Sequence, residues 1–184
     1  MNKGMVSGLA VAGLLVVGLQ AAQAATLTGV ELAADYLLPD SSTTYPGGTP
    51  TGPFTVGAGV DAVINVEGVT DLSLDFDSNM LTVTLNTTLT NPTWNTASFN
   101  GIHITAASGM FTSFGLSSAT ISPITTSFDA DELFINWAGA SYVDGSTAVF
   151  DIGYEVASVP LPAGFPLVLT GLFGFAWLRR RKVG

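Results

Sequence analysis

The chain has 184 residues, with 14 acids against 5 lysines and arginines, one histidine and no cysteine. Without cysteine there are no disulfides, thiol nucleophiles or iron–sulfur clusters, so stability must come from packing. All five basic residues lie at the ends, Lys3 at one and Arg179, Arg180, Arg181 and Lys182 at the other, and every acid lies between them. That acidic stretch repels nucleic acid and anionic headgroups. Cations stay on the cytoplasmic side during translocation while acids matter little, so the layout is that of an exported domain with membrane-directed segments at both ends.

Residues 1–24 read as a secretory signal peptide with a helical apolar core. Lys3 supplies the charge, Met5 to Leu19 the apolar run, and Ala22-Gln23-Ala24 the small-x-small pattern cut by signal peptidase, leaving Ala25 as the new N-terminus. Gly8, Gly13 and Gly18 lower helix propensity, and the run is short for a span needing ~20 residues. No cysteine follows it, which excludes a lipoprotein anchor.

Residues 25–158 are long enough for one domain with one core. Their pattern is β throughout. Apolar side chains alternate with polar ones in Leu81 to Leu85, Gly101 to Thr105 and Leu133 to Trp137. Further strands are expected at Thr26 to Leu32, Phe54 to Val60, Ala62 to Glu67, Asp71 to Phe76, Phe111 to Ile121 and Thr147 to Val156, separated by turn residues. Short strands without intervening helices predict an all-β fold, an antiparallel, jelly-roll-like sandwich. Pro39 to Pro53, with Ser41 to Thr44, Gly47-Gly48 and prolines at 46, 50 and 53, reads as a mobile surface loop.

Two segments resemble one another. Phe76 to Leu85 aligns with Phe128 to Trp137, matching Phe, Asp, a polar position, Leu, a β-branched residue and a large apolar one, and each reads as a hairpin corner with an acidic turn. The first of these, Asp75-Phe76-Asp77-Ser78-Asn79, has the D-x-D-x-N spacing that can direct oxygen ligands at calcium. Met80 stands at position six instead of Gly, and Asn86 at position twelve instead of Glu, so it is not an EF-hand. Asp75, Asp77 and Asn79 are thus calcium candidates set against an ordinary turn, and no metal or other cofactor is expected.

The inventory opposes catalysis. His103 lies between Ile102 and Ile104 in a strand, residues 25–158 contain no lysine, and no serine stands in a G-x-S-x-G context. The domain is therefore expected not to be an enzyme. A carbohydrate-binding module is the rival reading, because Tyr36, Tyr45, Trp94, Trp137, Tyr142 and Tyr154 could present flat faces to sugar rings. Trp137 shares the inward phase of Leu133 and Ile135, whereas Trp94 follows Asn91-Pro92-Thr93 in a turn and is expected to be freer.

At the C-terminus Val159, Pro160, Leu161, Pro162, Ala163 and Gly164 lead into the apolar run Phe165 to Leu178 and then Arg179, Arg180, Arg181 and Lys182. Motif, apolar helix and basic stop in that order closely resemble the VPLPA variant of the PEP-CTERM sorting signals of Gram-negative bacteria. Leu161 stands where the commoner form has glutamate. The resemblance covers residues 159–184 and implies an exosortase as processing partner, with the inner membrane as a way station. Such systems accompany exopolysaccharide production, so it further implies a cell-surface, extracellular or biofilm-matrix role and exopolysaccharide as a possible partner. The F-D-x-D-x-L pattern from Phe128 and the W-x-G-x-S-Y-x-D-G pattern from Trp137 to Gly145 resemble uncharacterised β-sandwich domains among such proteins.

The tail is also physically marginal as a permanent anchor. Prolines 160, 162 and 166 discourage helix before about Phe165. The residues from there to Leu178 span only ~21 Å of a ~30 Å hydrocarbon core.

Overall fold

The computed structural model describes residues 26–155. Ten strands follow in chain order: β1 (Glu31–Leu37), β2 (Thr51–Thr55), β3 (Ala62–Val66), β4 (Thr70–Asp77), β5 (Met80–Thr87), β6 (Gly101–Ala106), β7 (Phe111–Ala119), β8 (Thr125–Phe128), β9 (Glu132–Asn136) and β10 (Ser146–Tyr154). They form two five-stranded sheets, ordered β2-β1-β6-β9-β8 and β3-β4-β5-β10-β7, and every pairing is antiparallel. The chain passes from one sheet to the other at five connections. Among the described residues there is no helix, and so none long and apolar enough to cross a membrane.

Period-two alternation places the core. In β4 Leu72, Leu74 and Phe76 point inward and meet Leu85, Val83 and Leu81 of β5 across the ladder. In the other sheet Tyr36 faces Ile102 and Ile102 faces Ile135, while Ala34 faces Ile104 and Ile104 faces Leu133. Both inner faces contribute to one continuous buried cluster, with each fully buried large side chain contributing about 1.5–3 kcal/mol.

The two aligned segments do form equivalent hairpins, in different sheets. Phe76 pairs with Leu81 around one turn and Phe128 with Leu133 around the other. They differ in the phenylalanine: Phe76 is buried in the core, whereas Phe128 lies exposed on the short strand β8.

Several expectations are corrected. The first strand starts at Glu31, because Gly29 takes a positive φ of 85° and Val30 bonds back to Leu27, making a turn of what read as strand. β2 ends at Thr55, and Gly57 then donates to the Asp61 carboxylate at 2.6 Å, capping a Gly-rich turn. Strand β8 carries too few apolar residues to register as a strand, yet β9 pairs with it over its whole length. The stretch from Pro39 to Pro53 is not a loose loop. Tyr45 donates to the carbonyl of Tyr36 at 2.9 Å, Thr49 to that of Asn65 at 2.9 Å, and β2 begins within it at Thr51.

The described chain enters and leaves at one end of the sandwich. Tyr154, at the end of β10, reaches the Ser78 carbonyl in the β4–β5 turn. Thr28 lines a surface depression with Gly57–Gly59, Asp75 and Asp77 at the same end. The signal segment and the tail lie outside the described residues, and with them Ala22, Ala24, Ala25, Val159 to Gly164 and Arg179 to Lys182.

Candidate functional site

The end opposite the chain termini is the chemically distinctive one. There β1 finishes, β4, β6 and β10 begin, and the segments 88–100 and 137–145 cross over the gap between the sheets. Their side chains enclose a cleft of about 260 Å³ lined by Tyr36, Tyr45, Glu67, Leu89, Trp94, Tyr142 and neighbours.

The aromatic rings form a layered cluster. Trp94 stacks on Tyr142 with centroids 4.8 Å apart and planes 13° apart, and on Trp137 at 5.8 Å and 21°. Tyr36 lies 5.5 Å from Trp94, and the half-buried Tyr45 leans against Tyr36 at 6.2 Å. Trp94 is thus a correction to the expectation that it would be free. Its N–H donates to the carbonyl of Ala140 and its carbonyl accepts from Gly139, which pin the 91–96 turn over Trp137 and leave the indole 8% exposed.

A polar network runs beneath the rings. Trp137 Nε1 donates to the Tyr36 hydroxyl at 3.0 Å, that hydroxyl donates to Asn100 Oδ1 at 2.6 Å, and Asn100 Nδ2 donates to the Asn95 carbonyl at 2.9 Å. On the other side Thr70 Oγ1 shares hydrogen bonds with the hydroxyls of Tyr142 at 2.8 Å and Thr87 at 3.0 Å. Burial pushes the phenols of Tyr36 and Tyr142 above the ordinary tyrosine range. One donor is left over: Trp94 Nε1 is buried and has no acceptor.

Glu67 supplies the carboxylate at the rim. It precedes Gly68 in the three-residue β3–β4 connection, and both residues have positive φ, 57° and 71°, as the central pair of a type I′ turn requires, with the Val69 N–H donating back to the Val66 carbonyl at 3.1 Å. Its N–H donates to the carbonyl of Gly47 at 2.8 Å, and its Oε1 accepts from the Tyr45 hydroxyl. That bond raises the Tyr45 pKa, since ionising the phenol would set a second negative charge against the carboxylate. Gly48 allows the close crossing, because a Cβ there would come within 2.7 Å of the Tyr36 Cβ.

The remaining sequence candidates sit elsewhere. Asp75 and Asp77 are in β4 and Asn79 is in the turn beyond it; Asp77 bonds to Ser78 Oγ at 3.1 Å. Among the described residues no group of three or more His, Cys, Asp or Glu side chains is arranged to hold a metal. His103 stacks on Phe134, its cross-strand neighbour on the outer face, at 4.6 Å, with Nε2 3.4 Å from Glu132. It lies on the outer face of the sheet, turned away from the cleft, and has no serine or cysteine partner in the hydrogen bonds of the described residues. In the sequence Tyr45 stands out only as one aromatic among six, Glu67 reads as the end of a strand, and Asn100 carries no signal of its own. The Glu67-Gly68 pair between two alternating segments was the available signal for a turn.

No family model, curated protein or solved structure matches this chain. Fold and site together define an antiparallel, two-sheet, sandwich-like domain with an aromatic cleft at the end remote from its chain termini.

Proposed function

We propose that this is an exported, non-enzymatic surface protein, delivered by a cleaved signal peptide and sorted by an exosortase through its C-terminal VPLPA tail. In this reading signal peptidase cuts after Ala24, residues 25–158 fold outside as a jelly-roll-like sandwich, and the tail's transmembrane helix holds the protein in the inner membrane before it reaches the cell surface or extracellular matrix. Its role there is structural or adhesive, with exopolysaccharide as the natural partner.

The observation that carries this reading is the ordered tail: a Val159–Gly164 motif, a 165–178 apolar run and the 179–182 basic stop. The folded part is compatible with it. Among the described residues both sheets share one continuous buried cluster. β10 delivers the chain to the end opposite the cleft, about 27 Å away at ~3.4 Å per residue, so a membrane-held tail presents the cleft outward. The five inter-sheet connections suit a two-sheet sandwich.

The test follows the protein with an antibody against the folded domain in cells with and without the exosortase. Sorting requires loss of the tail in the first and accumulation of a membrane-bound, full-tail form in the second, with Pro160→Ala/Pro162→Ala reproducing the second pattern. Identical size and location in both strains would leave only a permanent single-pass anchor. Mass spectrometry of the exported form should begin at Ala25.

A further inference from the structure

We infer that the aromatic cleft is a binding site for a neutral saccharide unit of a larger glycan. The outward placement of the cleft rests on the tail-anchored reading above; its ligand chemistry rests on the cleft alone.

Charge excludes most alternatives. The described residues contain no lysine or arginine, so phosphates, uronates and sulfated glycans meet no cation and a uniformly acidic domain. The volume of about 260 Å³ falls just below the ~300–1,000 Å³ usual for drug-sized ligands, which suits one or two rings of a chain passing through an open mouth. Tyr45 and the exposed Leu89 give that mouth apolar sides, and aromatic faces favour the C–H face of a sugar ring.

The polar groups complement hydroxyls. Glu67 Oε1 is held by Tyr45, which fixes the carboxylate while leaving Oε2 without a protein donor among the described hydrogen bonds. Trp94 Nε1 is a donor with no acceptor, a state that costs about 1–3 kcal/mol. A sugar hydroxyl can donate to a carboxylate and accept from an indole, whereas an apolar ligand does neither and a cation only the first. Because the indole nitrogen is shielded, engagement has to turn Trp94, and its fluorescence reports the turn.

The backbone supports the same assignment. Glu67 occupies the left-handed region at φ 57°, where Asn or Gly would sit with less strain. A glutamate in a left-handed turn position at the rim of a cleft is the pattern expected when the carboxylate has a use.

The experiment applies the full chain, in a polyoxyethylene detergent free of sugar headgroups, to an array of neutral oligosaccharides (glucans, mannans, galactans and xylans), uronate and sulfated oligosaccharides, and oligolysine. Binders are then titrated by tryptophan fluorescence and calorimetry. At least one neutral class should bind, with a fluorescence change, and Tyr45→Ala and Glu67→Gln should each weaken it about 10-fold, as loss of a stacking face or a charge-assisted hydrogen bond requires. Both sites are on the rim, so melting curves should stay close to wild type, and a variant that fails to fold is replaced by Tyr45→Leu, which lacks the flat ring, or Glu67→Asn. The inference is overturned if no neutral saccharide binds, if only uronates or only oligolysine bind, or if neutral binding survives both substitutions unchanged. None of these outcomes depends on exosortase processing, so this site and the sorting reading stand or fall separately.

Discussion

The two ends of the sandwich solve the same closure problem with different chemistry. At the end holding the chain termini, tight turns close the strands directly: the core there is Phe76, Phe111 and Phe114 with aliphatic neighbours and the half-buried Phe54 packed against them, and the acids Asp75, Asp77, Asp129 and Asp131 stand in or beside exposed turns. At the cleft end three connections, 38–50, 88–100 and 137–145, are long, and Thr70, Asn100 and Ser146, the buried polar residues of the described chain, all lie there. Long crossing segments bring backbone groups and hydroxyls into the interior, where each needs a partner. A turn-closed end stays dry and apolar; a loop-closed end must carry a polar network, and one that leaves a donor over has room for a ligand.

Substitutions at glycines break this contrast most severely. Gly101 sits where β6 meets β9, and any Cβ there collides with the Ile135 carbonyl group, a backbone obstacle that cannot rotate away. Gly101→Ala should destabilise by about 3 kcal/mol or more or prevent folding, whereas Gly115→Ala on edge strand β7, with open space around it, should stay within about 0.5 kcal/mol. Thermal melts of the pair check this.

Next in size is the hydrogen-bond network. Asn100→Ala strands the Tyr36 hydroxyl proton and the Asn95 carbonyl together, which should cost about 2–3 kcal/mol. At the turn end Asp61 also accepts two N–H groups, from Gly57 and Phe76, but it is half-exposed and water can replace it. Asp61→Ala should therefore cost only about 1 kcal/mol in urea unfolding.

Alkaline pH probes the cleft end selectively. The buried Tyr36 phenol titrates above its unfolded value of ~10, so its stabilisation is complete below about pH 10 and is lost as pH rises beyond it, because only the unfolded state releases the proton. The decline should approach ~1.4 kcal/mol per pH unit for each such phenol. Tyr36→Phe should start less stable, having lost two hydrogen bonds, yet show a shallower decline above pH 10.

The smallest effects lie in the turns. Ser78 and Glu67 both hold positive φ, 56° and 57°. Ser78→Gly should stabilise by about 0.5–1 kcal/mol, and Glu67→Asn by less, because it relieves the backbone but forfeits the Tyr45 bond. Equal gains would mean that Tyr45 contributes nothing to holding Glu67.

Local alternation makes most strands readable: β3 to β6, β9 and β10 coincide with segments whose apolar residues recur every second position, β7 is marked by composition instead, and the two hairpins follow from Phe-Asp openings five residues ahead of a leucine. Strand β8, nearly all Ser and Thr, owes its existence to the partner it pairs with, and β2 contains Pro53, which only an edge position tolerates. Trp137 was legible as core from its phase. The cleft was not, since Tyr36, Tyr45, Glu67, Trp94 and Tyr142 belong to five separate segments brought together only by the pairing of β1 with β6 and the packing of the two sheets. Trp94 shows the limit most clearly: its turn-like neighbours say surface, and two backbone bonds to residues more than forty positions away put it inside.

Display of the cleft away from the membrane is most directly tested by distance. The chain has no cysteine, so Thr90→Cys at the cleft rim and Ser108→Cys at the opposite end each give a unique labelling site. In proteoliposomes of the full chain with a quencher on the lipid headgroups, the label at 108 should be quenched strongly and that at 90 weakly. Equal quenching, reversed quenching, or a chain that does not associate with the vesicles would contradict a tail-held sandwich with its cleft facing outward.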